Sequence, residues 1–139
     1  MFWDSSALIP CFVEESRSPQ LLPLFRTDEQ VVIWWLTPVE CTSALERRRR
    51  EGLAEAAYHE ANELLADIGR TVDSISPHEE IREQAIELLR RHALRSSDAL
   101  QLAAALVSSR RIGFLVPFVC LEERLRGAAG REGLPLLPG

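Results

Sequence analysis

The chain has 139 residues, 46% of them hydrophobic and 27% charged, with a formal net charge of -5. That suits a single domain spanning 1–139, long enough to bury roughly two-thirds of its unfolded surface, and argues against holding nucleic acid by bulk positive charge. All 16 basic residues are arginine, which disfavours Schiff-base chemistry, lysine-containing phosphate loops and lysine-dependent aspartyl-phosphate enzymes.

The longest apolar run, Ile112 to Leu121, is interrupted by Gly113 and Pro117 and is too short to span a bilayer. No basic segment followed by an apolar one opens the chain, so no signal peptide is expected. Cys11, Cys41 and Cys120 are odd in number and far apart. They read as reduced, small apolar residues of a cytoplasmic protein, with neither a disulfide nor a zinc site.

In chain order, Met1 to Trp3 predicts a brief strand ending at Asp4, then a helix through Ala7, Leu8, Ile9, Phe12 and Val13. Pro19 and Pro23 bracket a short helical piece or a loop, and Thr27-Asp28-Glu29 a turn. Val31 to Trp35 is β-branched and aromatic, which predicts a strand buried on both faces. Thr37-Pro38-Val39-Glu40 has the spacing of a capping box with proline at the first helical position. It opens a helix that ends at Gly52, and Leu53 to Ile68 forms an antiparallel partner stopped by Gly69. Thr71 to Ile75 predicts a strand, and Ser76-Pro77-His78-Glu79 a second capping box. The helix after it turns Ile81, Ala85, Leu88 and Leu89 inward.

Ser96-Ser97-Asp98 then precedes a run that is apolar on every side, Ala99 to Val107. This predicts a helix buried almost all round, with Ser96, Ser97 or Asp98 as its cap. A last strand falls near Val116 or Phe118 to Cys120, a helix opens at Glu122-Glu123-Arg124-Leu125, and Leu134 to Leu137 suits an edge strand. Strands alternating with helices predict an α/β fold with a mostly parallel sheet flanked by helices. In such folds the carboxyl ends of the strands gather the ligand site.

Asp4, Glu40 and Glu122 each follow a predicted strand at a helix start, and Asp98 opens the buried helix. Each acid also has a purely structural reading: Asp4 and Asp98 as caps, Glu40 as closure of its capping box. Four carboxylates at one sheet edge repel one another unless a counter-ion is present. Oxygen-only ligands favour Mg²⁺ or Mn²⁺ over zinc, and such ions suit phosphodiester cleavage.

Asp4-Ser5-Ser6-Ala7-Leu8, Thr37-Pro38-Val39-Glu40-Cys41, Asp98-Ala99-Leu100-Gln101-Leu102-Ala103 and Phe118 to Leu125 resemble the ordered motifs of the PIN-domain ribonucleases. The stand-alone length resembles the VapC-like toxins of toxin–antitoxin pairs. The resemblance implies a Rossmann-like fold and a Mg²⁺- or Mn²⁺-dependent endoribonuclease. Asp4, Glu40, Asp98 and Glu122 become its catalytic metal ligands, with Ser6 and Ser97 in support. It also implies an RNA substrate, an antitoxin that covers the pocket, and a homodimer. One position departs from the family pattern. Where a small hydroxyl residue, one residue and Asp are usual, this chain has Cys120-Leu121-Glu122, with Glu123 as the alternative fourth acid.

Arg47 to Arg50 reads as a solvated helix face or as a phosphate-tracking patch, with Arg47, Arg48 and Arg50 the candidates for RNA binding. Trp3, Trp34 and Trp35 read as core or interface aromatics, and His59, His78 and His92 as surface residues. Two rival readings stand beside the nuclease. One is a catalytically impaired PIN-like binding or scaffold module, suggested by the Cys120/Glu122 departure. The other is a receiver-type phosphoryl-transfer domain, against which the missing lysine counts.

Overall fold

The computed structural model describes all of residues 1–139. In chain order its elements are β1 (Phe2–Trp3), α1 (Ser5–Phe12), α2 (Ser18–Thr27), β2 (Val32–Trp34), α3 (Thr37–Arg50) and α4 (Glu55–Thr71). There follow β3 (Asp73–Ile75), α5 (Glu79–Arg91), α6 (Ser96–Ile112), β4 (Phe118–Val119), α7 (Glu123–Arg131) and β5 (Leu136–Leu137). All five strands pair in parallel, in the order β3-β2-β1-β4-β5. The predicted α/β architecture is the one observed, down to the edge strand β5. No helix is long and apolar enough to cross a membrane.

Alternation along these short strands assigns the two faces of the sheet. Phe2, Trp34 and Phe118 point to one face and join α5, α6 and α7 in the larger core. Trp3, Ile33 and Val119 point to the other and join α1 and α4. Helix α6 is buried almost all round, as its sequence predicts: Ala99, Gln101 and every residue from Leu102 to Val107 are buried. A third cluster of Val13, Leu45, Tyr58 and Ala61 packs α3 against α4.

Several local expectations are corrected. Neither capping box forms. At α3 the cap position is Leu36 and no side chain caps it; Thr37 is buried and turns its hydroxyl inward instead. At α5 the cap position is His78, again without a side-chain bond. Gly69 lies inside α4, which runs on to Thr71, because tertiary packing outweighs a glycine cost of about 1 kcal/mol. Leu89 is exposed, and Trp35 lies beyond the end of β2 with more than half its surface in solvent. His92 is not a free surface residue, since its ring bonds Glu132 at 2.6 Å with the side chain only 8% exposed.

Candidate active site

Asp4 follows β1 directly and caps α1 through the amide of Ser6 at 3.0 Å. The Ser6 hydroxyl donates to the same carboxylate oxygen and accepts from the Leu121 amide at 2.9 Å, tying α1 to the loop after β4. Cys120, at the end of β4, donates its thiol to Asp4 at 3.5 Å. Burial and the neighbouring Asp4 charge push that thiol up from its usual range, so it stays protonated and occupies the donor role a hydroxyl would have there. The unusual Cys120 therefore leaves Asp4 with its hydrogen-bonded support.

Glu40 lies in the first turn of α3, after β2, and Asp98 in the first turn of α6. Asp98 is not the cap of its helix. That position belongs to Arg95, which bonds nothing with its side chain, and Asp98 is left facing the cavity at the sheet's carboxyl edge. Glu122 does cap α7, its carboxylate accepting from Leu125 N at 2.6 Å.

These four acids line one cavity of about 690 Å³ together with Ser6, Ser97, Arg47, Arg48 and Arg95. The carboxyls sense one another. Glu40 is pushed up to about 7, chiefly by burial and then by the Asp4 charge, with Asp98 adding to it. Asp98 is raised by burial, then by Asp4 and Glu122, with Arg95 opposing. Asp4, only 5% exposed, is raised by burial against the pull of its Ser6 bonds. Like charges facing one another in a partly dehydrated pocket have this effect, and a bound cation reverses it.

The donor set is oxygen only and fits a hard divalent cation. As the side chains stand, however, no three of the His, Cys, Asp and Glu groups converge closely enough to cage an ion. Glu122 is turned onto its own helix, and ligation requires it to leave the Leu125 amide or to act through water.

Of the other expected residues, Arg47 and Arg48 border the cavity, and Arg48 is held in an ion pair with Glu15, which also lines it. Arg50 is exposed and stands outside the cavity, since successive residues diverge by about 100° around a helix. Glu123 likewise belongs to a different cavity, beside His92 and Arg131. Sequence reasoning missed Arg95; its spacing of three residues before Asp98, one helical turn, was the available signal. A second cavity, about 760 Å³, lies between α1, α2 and α4, is lined mostly by apolar side chains and contains none of the four acids.

The PIN domain family model matches residues 1–112, and the chain belongs to that family. Among solved structures it is similar to the Mycobacterium tuberculosis toxin VapC20, described as cleaving the sarcin–ricin loop, with a TM-score of 0.65 and 20% identity over 91% of this chain and 93% of that one. It is also similar to PAE2754 from Pyrobaculum aerophilum, with a TM-score of 0.63 and 20% identity over 98% of this chain and 82% of the other. A toxin–antitoxin complex from Klebsiella pneumoniae gives a TM-score of 0.61 and 17% identity over 88% and 87% of the two chains. At these identities the likeness is one of fold. No curated protein matches the chain.

Proposed function

We propose that this protein is a metal-dependent endoribonuclease and the toxin of a toxin–antitoxin pair. The observation that carries the reading is the meeting of Asp4, Glu40, Asp98 and Glu122 in one cavity edged by arginines. Family membership and the fold shared with VapC20 support it.

Asp4, Glu40 and Asp98 would hold Mg²⁺ or Mn²⁺, with Glu122 the fourth ligand after releasing its helix. The bound ion supplies positive charge that activates water and neutralises the phosphodiester. Near neutral pH the metal-free pocket keeps a proton on Glu40 for part of the time, and Glu40 would have to give it up to hold the ion. Asp4, fixed by Ser6 and Cys120, cannot turn away, so it sets the position that the other acids adjust to. Arg47 and Arg95 hold the RNA phosphates over the acids; Arg48 joins them on release from Glu15. An antitoxin that covers this cavity, a homodimer and a cytoplasmic setting complete the proposal. The toxin–antitoxin complex of like fold supports the first of these.

The test is RNA cleavage by the purified chain. Cleavage with Mn²⁺ that EDTA stops supports the nuclease. Mn²⁺ binding with no cleavage of any RNA offered favours the rival binding module, the reading to which the turned-away Glu122 lends weight.

A further inference from the structure

Helix α6 carries two buried polar side chains: Ser109, whose hydroxyl accepts from the Val116 amide nearby in sequence, and Gln101, which reaches across the fold. Gln101 is 1% exposed, beside a core cluster made entirely of hydrophobic residues. Burying a primary amide is unfavourable unless its nitrogen and its oxygen find partners, and here each has one. Its Nε2 donates to the Trp3 carbonyl at 3.3 Å, and its Oε1 accepts from the Thr37 hydroxyl at 3.3 Å. The orientation is not interchangeable, because a carbonyl only accepts and so the amide nitrogen must face Trp3.

Each end of this bridge lies beside one of the acids. Trp3 immediately precedes Asp4, Thr37 stands one helical turn before Glu40, and Gln101 stands one turn after Asp98. The sheet makes room for it. β1 pairs with β4 through both Phe2 and Trp3, but with β2 through Phe2 alone. At Trp3 the sheet is open on the β2 side, and the amide of Gln101 takes the carbonyl that a longer β2 pairing would have used. Thr37, the first residue of α3, is 1% exposed and gives its hydroxyl to the same amide.

We infer that Gln101 is the positioning residue of the acidic site: its single amide fixes the spacing of the three segments that carry Asp4, Glu40 and Asp98. The inference rests on the nuclease reading only for the purpose it assigns to that spacing; the bridge itself can be tested without metal or RNA. Gln101 touches none of the reacting groups and acts through the backbone of β1 and the start of α3.

The test compares wild type with Gln101→Met, which keeps the unbranched length and removes both hydrogen bonds, and with Thr37→Val and Thr37→Ser. In metal-free protein, hydrogen exchange in Gln101→Met should quicken by about tenfold or more at the starts of α1, α3 and α6 together, while α4 stays as in wild type. Thr37→Val should quicken the start of α3 alone. Mn²⁺ affinity, read from the free-ion EPR signal, should fall by about 10–100-fold in Gln101→Met, the range typical of groups that orient metal ligands. Thr37→Val should weaken it in the same direction, and Thr37→Ser, which keeps the hydroxyl, should restore it. Exchange that quickens in α6 only, or wild-type Mn²⁺ affinity in a folded Gln101→Met, would overturn the inference and leave the amide as core filling. If Gln101→Met does not fold, the Val and Ser variants at Thr37 decide: equal Mn²⁺ affinity and equal exchange in both refute the bridge. Wild-type protein that binds no Mn²⁺ would count against the nuclease reading, while the exchange pattern would still decide the role of Gln101.

Discussion

Glu40→Gln should make the metal-free protein more stable at pH 8, and the size of the gain follows from the pocket. The carboxyl of Glu40 is raised from 4.5 to about 7 by burial and by the Asp4 charge. A shift of that size costs its charged form at most about 3 kcal/mol. Glu40 is only partly buried, so solvent screening reduces the figure to about 1–2 kcal/mol. The sign follows from proton binding. Between the ordinary value and about 7 the folded state holds the proton and the unfolded state has lost it, so stability falls as pH rises through this window. Above it the full cost is present. Glutamine at this position cannot ionise, and its variant should lose that part of the slope. The remaining slope comes from Asp4 and Asp98, which are raised in the same direction. Thermal unfolding in EDTA should put Glu40→Gln about 3–7 °C above wild type at pH 8 and close to it at pH 4. A variant less stable than wild type at pH 8 would refute the electrostatic picture and make Glu40 a structural residue.

Three further outcomes are expected. Mn²⁺ at about 100 times its dissociation constant should stabilise wild type by about 2.7 kcal/mol, read as a higher melting temperature, and should do much less for Asp98→Asn. Metal-free Asp98→Asn should melt no lower than wild type, since Asp98 is not the N-cap of α6 and its burial and the Asp4 and Glu122 charges outweigh the Arg95 charge and backbone bond that favour its ionised form; a large loss of stability would show a structural role. Glu122→Ala should cost about 1 kcal/mol of stability through the lost cap on Leu125, whereas Glu122→Gln should keep the fold and reduce RNA cleavage, and Glu123→Gln should leave both stability and cleavage as in wild type.

Much of this architecture was legible in the sequence because its signals are local and strong. The apolar run after Asp98 predicts a helix buried on all sides, and α6 is one. The β-branched and aromatic run at Val31 to Trp35 predicts β2, although its last residue lies in solvent. Caps were read less well, because a Thr-x-x-Glu spacing says nothing of whether the hydroxyl has a better partner far away in sequence. Thr37 has one in Gln101, 64 positions on. The same limit hid the partners of His92, which come from the end of α7, and the place of Arg95 in the cavity, which depends on how α6 docks. The meeting of the four acids in one cavity was legible because each stands at the start of a helix at the carboxyl edge of a parallel sheet. The turn of Glu122 onto the Leu125 amide is a choice between rotamers that no spacing could disclose.

The central claim, that the acids activate water against an RNA phosphodiester, is tested most directly by the chemistry of the cut ends. With Mn²⁺ and a labelled RNA, attack by water predicts products without a 2′,3′-cyclic phosphate, because the neighbouring ribose hydroxyl takes no part. Cleavage should also be lost in Asp4→Asn, whose carboxylate anchors the site. Cyclic phosphate ends, or wild-type cleavage by Asp4→Asn, would contradict it.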